Sequence, residues 1–568
     1  MSSKTPERFL GSLFLDDRKI LVAVDFGTTF SGVAWPDDHC PIEWFKLDLD
    51  PSQKPSQSEI ASQYPVQDDN PPLYDYDAEQ SVIDYLTALR EHTERYLKDK
   101  LSSAALWSMA IDYIITTPAV WSDAAQAKTR ACAEAAGMGK SESLNIVSEP
   151  EAAAIYAFRV THPNDLKIGD TFVLCDAGGG TVDLISYTVT SLEPILGVDE
   201  AAPGTGKLCG GMFLNRIFEK HLVETCGSNT GWDTQAMDRF EVVKKQFSGN
   251  ASKDFSIPVP GLVDNVQQGV RRGKWNLTGD RMSNIFNPVI RETIGLVKDQ
   301  IRATRREITA VLLVGGFGQS GYLRESLRKE LGSNIKVLVP QNGWQAVVRG
   351  DLMKALAQSI PSSATLKVGS RAARKHYGFE SYTQFVDGIH SRSKGEWREY
   401  EGEFKTMAMH WFIKKGNPVK EDEPTEFPLY TTRRVKKGRP QDHTVVILCC
   451  TDPKDKGAPV YRDDGVDYLV RLTANFGSIS ESTLDRRMGR DGQEWYFIAF
   501  TIRLTTLSAS TRYALCYKGK EYGSVTAEQP RSEGLNFQRK AGRHRDGYRA
   551  ILRQKEKNAA SQELMIHP

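Results

Sequence analysis

Two aspartates, each followed by a turn of small residues, have the type and spacing that phosphate chemistry requires. The turns contain the following residues: Gly27, Thr28 and Thr29 after Asp25, and Gly178, Gly179, Gly180 and Thr181 after Asp176. Backbone N–H groups approach a polyphosphate closely where there is no Cβ, and carboxylate oxygens suit a largely hydrated Mg²⁺. One such turn alone is more often an ordinary strand end. The two together predict a site for a polyphosphate and Mg²⁺.

A third carboxylate follows the second turn. Asp183 lies two residues after Thr181, where it could orient an attacking water. The sequence therefore adds a candidate for hydrolysis to the candidates for binding.

Three apolar runs rich in β-branched residues lead into glycine turns, at residues 20–25, 172–176 and 311–314. Each pattern predicts a buried strand, and we expect the three strands to deliver their turns to a common edge. The first two turns resemble each other, which favours an internal duplication and two similar lobes.

Helical patterns at residues 122–137, 149–158 and 238–247 alternate with these strands, and the first of them begins with Ser122 as a candidate N-cap. The alternation predicts an α/β domain over residues 19–360, preceded by an N-terminal extension over 1–18 and followed by a linker over 361–378. Apolar alternation at residues 404–413, 444–448, 468–472, 495–504 and 513–517 then predicts a β-rich domain over 379–528. Residues 529–568 are rich in Arg, Lys and Gly, which is more typical of a solvated flexible tail than of a specific binding arm.

Composition excludes several partner classes. Lys and Arg total 73 against 72 for Asp and Glu, so the net charge gives no reason to expect nucleic acid. The eight cysteines are scattered without a C-x-x-C pair, a pattern typical of reduced thiols. No apolar run of about 20 residues or signal-peptide pattern is seen, so we expect a cytoplasmic or nuclear protein without a membrane partner.

The motifs, taken in order, resemble those of the heat-shock-70 chaperones. V-D-F-G-T-T-F-S-G-V-A is similar to their first phosphate motif, C-D-A-G-G-G-T-V-D-L to their second, and V-L-L-V-G-G-F-G-Q-S to their adenosine motif. Between these lie I-T-T-P-A-V-W, S-E-P-E-A-A-A, L-C-G-G-M-F-L-N-R and F-E-V-V-K-K-Q-F, which resemble further segments of the family. The resemblance covers roughly residues 20–360 and is nearest to the divergent branch that is common in fungi and related to the type 12 proteins.

This resemblance implies a fold and a set of roles. The fold is a two-lobed, actin-like (ribonuclease H-like) ATPase domain of α/β class, followed by the β-rich domain. ATP and Mg²⁺ are the implied ligands, with metal-linked roles for Asp25 and Asp176. Asp183 and Thr181 would orient water, and Glu149 would be a supporting carboxylate. The implied nucleotide contacts outside the two phosphate turns are Gly210, Gly211, Glu241, Lys244, Gly315 and Gly316. Without their motifs, Glu149 and Lys244 would be interpreted as solvated helix charges.

Several positions depart from the family pattern. The segment after the first motif is short, and the candidate for the family's hydrolytic lysine is Lys46, although a lysine beside Asp48 and Asp50 more often forms a surface ion pair. Gln319 stands where the chaperones usually carry an arginine that stacks on the base. The basic stretch 370–377 replaces their acidic-leucine linker, and too little chain follows the β-rich domain for their helical lid. We therefore expect nucleotide and β-rich domain to be weakly coupled.

The sequence thus predicts a heat-shock-70-like ATP-binding protein that hydrolyses ATP slowly, if at all, and whose partners are client proteins. One alternative is an ATP-controlled scaffold without folding activity, which would bind ATP and yet fail to refold a client. A small-molecule kinase of the same superfamily is the less favoured alternative. The oligomeric state is left open.

Overall fold

The computed structural model describes residues 19–27, 45–50, 58–65, 78–101, 109–118, 121–140, 144–161, 166–226, 233–420, 423–451, 457–506 and 511–526. Two compact units divide this part of the chain. Unit 1 comprises the described residues up to 186 together with 205–366, and unit 2 comprises 187–204 together with the described residues from 367 onward. The predicted extension 1–18 and tail 529–568 lie outside the described residues.

The first sheet of unit 1 is parallel and has the strand order β1–β2–β3. Its strands are β1 (Lys19–Val24), β2 (Ala110–Thr117) and β3 (Asn145–Ser148). The helices of this region are α1 (Glu59–Gln63), α2 (Ala78–Lys100), α3 (Asp123–Ala135) and α4 (Glu149–Thr161). The Ser122 hydroxyl accepts a hydrogen bond from Ala125 N at 3.2 Å and so satisfies one of the free N–H groups at the start of α3. The predicted Ser cap is confirmed.

The second sheet begins in unit 1 and has the order β11–β10–β4–β5–β6. Residues 187–204, in β5 and β6, are the part of these strands that belongs to unit 2. Its strands are β4 (Thr171–Ala177), β5 (Val182–Ser191), β6 (Leu196–Lys207), β10 (Ala310–Val314) and β11 (Lys336–Leu338). A small antiparallel sheet is formed by β7 (Phe255–Pro258), β8 (Val270–Arg271) and β9 (Lys274–Leu277). The remaining helices are α5 (Met212–Cys226), α6 (Asp233–Gln246), α7 (Gly279–Thr304), α8 (Gly321–Leu331) and α9 (Ala346–Ser359).

The predicted common edge holds for two of the three strands. β4 and β10 are parallel neighbours with Asp176 opposite Val314, so the turn at Gly178 and the turn at Gly315 leave the same edge. β1 lies instead in the first sheet. The two sheets have separate hydrophobic cores, one containing Phe26 and the other Val173, and each sheet therefore needs its own strand before its turn.

Unit 2 is built mainly from two antiparallel sheets around one apolar core, which confirms the predicted β-rich region. One sheet has the order β14–β15–β13–β18–β19, and its strands are β13 (His376–Gln384), β14 (Gly395–Arg398), β15 (Glu403–Ile413), β18 (Asp442–Cys450) and β19 (Val466–Asn475). The other contains β17 (Thr425–Arg434), β20 (Asp485–Met488), β21 (Glu494–Thr506), β22 (Thr511–Tyr517) and β23 (Lys520–Thr526). Within unit 2, β6 is followed in the second sheet by β12 (Leu366–Ala372) and then β16 (Pro418–Lys420). None of the helices in the described ranges is long and apolar enough to span a membrane.

The predicted linker 361–378 has regular structure. It contains β12 and the start of β13, and its arginines face a buried acid of β6. Arg374 Nη1 lies 3.1 Å from Glu200 Oε2 and Arg371 Nη1 lies 3.7 Å from Glu200 Oε1, while Ala372 N donates to Glu200 Oε2 at 3.0 Å. Because Glu200 needs positive partners once buried, the basic residues here serve the interior of unit 2.

Helices α4 and α9 touch backbone to backbone within unit 1. A Cβ atom added at Gly350 would lie only 1.6 Å from the carbonyl oxygen of Ala152. Glycine at this position is therefore required by close approach and not by an unusual backbone angle.

We predict that Gly350→Ala destabilises the protein by about 1–3 kcal/mol or more, the range for overpacking, because the two helices must separate. The measurement is the free energy of unfolding by urea. Gly295→Ala on α7 is the matched control, since a Cβ there meets no atom within 4 Å and should cost nothing. Equal stability of the two variants would contradict the close packing of α4 on α9.

Candidate functional site

Asp25 follows β1 directly, at the carboxyl end of the first sheet. Its neighbour on β2, Thr116, donates a hydrogen bond to Asp25 Oδ1 at 3.5 Å. Asp25 is exposed as a whole residue, but burial of its carboxyl group, and then the nearby Glu149 charge, raise the pKa of Asp25 to about 6.

Asp176, near the end of β4, and Asp183, near the start of β5, are both buried. Asp176 is 8% exposed and Asp183 is 3% exposed, and the two flank the glycine turn that joins β4 to β5. The hydroxyl of Thr181 is hydrogen-bonded to Asp183, yet Asp183 Oδ1 has no hydrogen-bond partner among the described residues. A buried carboxylate oxygen without a partner is costly, so this atom is suited to a bound water or ligand.

Lys46 is buried and belongs to this group. It lies in a 3-10 helix (Phe45–Leu49), is 1% exposed, and its Nζ donates to Glu149 Oε1 at 2.7 Å and to the carbonyl oxygen of Phe26. Trp121 adds a cation–π contact at 5.3 Å. The expectation of a surface ion pair with Asp48 or Asp50 is wrong, because Glu149 is the acid that Lys46 meets. Glu149, at the first position of α4, is likewise buried and not a solvated helix charge.

These groups act on each other electrostatically. Burial raises the pKa of Asp176 well above its ordinary range, and the charges of Glu149, Asp183 and Asp25 raise it further, while Lys46 opposes them. Burial, and then Glu149, raise the pKa of Asp183 to about 7. Four carboxylates and one ammonium group therefore share a small region that has excess negative charge.

The second glycine turn is braced by the start of α5. Gly211 N donates to Gly178 O at 3.0 Å, Gly210 N to Gly180 O at 3.0 Å, and Met212 N to Gly179 O at 2.8 Å. The predicted nucleotide contacts Gly210 and Gly211 thus use their N–H groups to hold the turn. Among the described residues, the N–H groups of Gly179 and Gly180 have no protein acceptor, so they are the donors left for a phosphate.

The turn after β10 meets the same region. Gly315 has φ of 83°, and a Cβ there would lie 2.4 Å from Asp176 Oδ1 and from the carbonyl oxygen of Ala177. A Cβ on Gly316 would meet nothing within 4 Å, so a ligand can approach this backbone. Phe317 packs beside Gly211, which connects the turn after β10 to the braced glycine turn.

Glu241 and Lys244 on α6 form a network with Asn215 on α5. Asn215 Nδ2 donates to Glu241 Oε1 at 2.6 Å, and Lys244 Nζ donates to Asn215 Oδ1 at 2.7 Å and also to Glu241. Burial opposes ionisation of both charged groups, but Lys244 outweighs it at Glu241, whose pKa is lowered. Asn215 is missed by the sequence analysis, although an Asn on the apolar face of a helix that follows G-G is a signal that a polar contact is required there.

The donor set fits a hydrated Mg²⁺ better than a fully protein-bound metal. No group of three or more His, Cys, Asp or Glu side chains within the described ranges is arranged to hold a metal ion. Mg²⁺ usually binds one or two carboxylates and keeps several waters. Asp25 and Asp176 supply two carboxylates in a region of unbalanced negative charge, which is what such a cation would relieve.

The structure brings most predicted site residues together in unit 1. The carboxylates Asp25, Asp176, Asp183 and Glu149 interact, and Lys46 joins them. Thr28 and Thr29 lie outside the described residues. Thr116, the first residue of the Thr-Thr pair before Pro118, is a further contact of Asp25 that was not predicted from the sequence.

The comparison with family models decides what kind of site this is. The model described as Hsp70 protein matches residues 54–356, more than half of the 568-residue chain. The chain belongs to the Hsp70 family. Its unit 1 is an actin-like ATPase domain of the Hsp70 type, an ATP-binding domain of α/β fold. The matched segment begins after Asp25 and Lys46. The assignment of these two residues to the site therefore depends on the sequence motif and on the geometry.

Curated relatives of the Hsp70-like chain lie in the divergent type 12 branch. Human heat shock 70 kDa protein 12A is 24% identical over 395 residues, which are 54% of this chain and 57% of the relative. The mouse protein of the same name is 24% identical over 393 residues, or 54% and 56%. Human heat shock 70 kDa protein 12B is 23% identical over 396 residues, or 54% and 56%. The matches thus span little more than half the length of these relatives.

We predict that the ligand-free Hsp70-like protein becomes less stable as pH rises from about 5 to 8. The folded-state pKa of Asp183 is about 7 against an ordinary value of 3.8, so the folded state binds more protons in this window. Stability then falls with rising pH, the reverse of the salt-bridged carboxylate case. The measurement is urea unfolding at several pH values.

Asp183→Asn should flatten part of this pH dependence, because the amide does not titrate. Asp170→Asn is the control, since Asp170 lies at the opposite end of β4 and accepts a hydrogen bond from Lys167 N at 2.8 Å. An Asp183→Asn variant with the full wild-type slope would show that Asp183 does not carry the protons.

Proposed function

We propose that unit 1 of this Hsp70-family chain binds Mg-ATP and hydrolyses it slowly. The observation that carries the proposal is the unpartnered, buried Oδ1 of Asp183, which follows in the chain a turn whose Gly179 and Gly180 N–H groups also lack acceptors among the described residues. A carboxylate acceptor next to phosphate donors is the arrangement that a water and a terminal phosphate would complete.

Binding would be divided between backbone and side chains. Gly179 and Gly180 would donate to the phosphates, and Asp25 and Asp176 would hold the hydrated Mg²⁺. When bound, Mg²⁺ neutralises part of the phosphate charge and of the acidic cluster. The open backbone at Gly316 and the network of Glu241, Lys244 and Asn215 would contact the nucleoside.

Hydrolysis would depend on Asp183. A general base works best when its pKa is near the operating pH, and the pKa of Asp183 is about 7. Its Oδ1 would accept the proton of the attacking water, with Thr181 fixing the orientation of the carboxylate. Lys46 is held by Glu149 and Phe26 O, so its charge is positioned rather than mobile, and a modest contribution to the rate is consistent with a slow enzyme.

Unit 2 is proposed to contact protein partners. Its described surface exposes aromatic side chains on the paired strands β14 and β15, with Trp397 63% exposed and Phe404 42% exposed. Aromatic residues dominate the energetics of many protein interfaces. Refolding of a denatured client, compared with simple capture of it, would separate a chaperone from a scaffold. A cytoplasmic or nuclear location remains part of this proposal.

We predict that Asp25→Asn and Asp176→Asn each weaken Mg-ATP binding by about 1–3 kcal/mol, the range for losing a charge-assisted contact. Calorimetric titration of ATP with and without Mg²⁺ measures this. The loss should vanish when Mg²⁺ is absent, because the two carboxylates act through the cation. Asp170→Asn serves as control and should bind as the unmodified protein does. Unchanged Mg-ATP affinity in both site variants would remove the metal site.

Asp183→Asn should separate hydrolysis from binding. We expect ATP affinity within a few-fold of the unmodified protein and single-turnover hydrolysis slower by about a hundred-fold or more, as for a residue that acts mainly in the transition state. The same protein sample supplies both measurements. A parallel loss of affinity and rate would make Asp183 a structural residue.

A further inference from the structure

Asp351 is a buried acid that the proposed chemistry does not use. It lies on α9, is fully inaccessible to solvent, and neither of its carboxylate oxygens has a hydrogen-bond partner among the described residues. Leaving a carboxyl group in this state costs free energy, so the fold retains it against its own stability.

Lys354, on the next turn of α9, is already paired with an acid on another helix. Lys354 Nζ forms an ion pair with Glu151 of α4, and the side chains are 12% and 2% exposed. Residues three apart on a helix are neighbours on its surface, which places Asp351 within reach of the same ammonium group. Lys354 can therefore form an ion pair with either of two acids: Glu151 on the facing helix α4, or Asp351 on its own helix α9.

The two possible ion pairs of Lys354 connect different elements. The Glu151 pair links α4 to α9 at the place where Gly350 touches the Ala152 carbonyl. A pair with Asp351 would lie within α9 alone and would leave α4 without that ionic link. We propose that Lys354 is a two-position ionic switch, which fixes α4 against α9 when paired with Glu151 and releases α4 when paired with Asp351.

The two positions of Lys354 differ in which acid is ionised. In the present position burial raises the pKa of Asp351 well above its ordinary range and so favours its neutral form; Lys354 opposes this shift, while Asp25 and Glu151 add to it. In the released position Asp351 is ionised and paired, and its proton passes to solvent that enters as the helices part. Glu151 then gains access to the same water, so neither acid stays buried and unpaired.

The switch is placed to act on the nucleotide site. Glu149 is the first residue of α4, and α9 packs against β1, which ends at Asp25. Movement of α4 relative to α9 would therefore change the position of Glu149 and Lys46 relative to Asp25. This regulatory consequence rests on the proposed function, whereas the switch itself does not.

Hydrogen exchange in the full chain without nucleotide tests the switch through the sign of two changes. Asp351→Asn removes the competing acid, so exchange across residues 150–161 and 346–359 should slow by about tenfold. Glu151→Gln removes the cross-helix acid and frees Lys354 for Asp351, so exchange there should speed up by about tenfold, the scale for one buried charged hydrogen bond. A purely structural role for both acids predicts faster exchange in both variants, and that result would overturn the proposal.

Glu330→Gln is the matched control, because it removes the exposed ion pair between Lys298 and Glu330. It should leave exchange in α4 and α9 unchanged, and a change there would mean that the readout is not specific to the crossing. If Glu151→Gln fails to fold, Asp351→Asn decides alone, since unchanged or faster exchange in that variant rejects the switch. A failure of ATP binding would reject the proposed function and leave this result untouched.

Discussion

Unit 1 depends on an imbalance of charge: four buried or half-enclosed carboxylates share the one ammonium group of Lys46. Asp25, Asp176 and Asp183 each have a raised pKa, and Glu149 contributes to all three shifts. Such a cluster is unfavourable in a protein interior unless cations or protons compensate it. The two sheets and the helix start that carry these residues are thus folded around a place where positive charge is needed.

The backbone around that charge is held by local hydrogen bonds. Three consecutive N–H groups at the start of α5 hold the glycine turn, and the close approach of Gly210 to Gly179 leaves no room for a side chain. A phosphate would therefore meet a cradle that is already formed, which lowers the ordering cost of binding. The acids and the turn are fixed by different means, the acids by long-range pairing and the turn by local backbone contacts.

Local patterns predicted much of this arrangement from the sequence. The structure confirms the predicted strands before Gly27, Gly178 and Gly315 and the predicted N-cap at Ser122. Each of these sequence signals lies within a few residues. The apolar alternation of unit 2 likewise predicted β15, β18, β19, β21 and β22, but not the other strands of its two sheets. Period and turn chemistry are properties of short segments, so the sequence shows them directly.

Contacts between distant residues could not be read in this way. Lys46 looked like a surface residue because its nearest acids in the chain are Asp48 and Asp50, whereas its partner Glu149 is 103 residues away. The basic stretch at Arg371 looked like a linker because its acid, Glu200, belongs to a strand far upstream. In both cases the local sequence shows a charge, and only the fold shows what neutralises it.

The path of the chain through β6 has a consequence for biosynthesis. Residues 187–204 belong to unit 2, yet they leave the ribosome before residues 205–366 of unit 1. Unit 2 therefore cannot finish folding until its C-terminal portion is made. Glu200 cannot pair with Arg371 and Arg374 before these two residues are synthesised. During that interval β6 lacks β12, its neighbour on one side, which is the condition in which unpaired edges are prone to aggregate. A protein of this family would thus itself be exposed to misfolding while it is being synthesised.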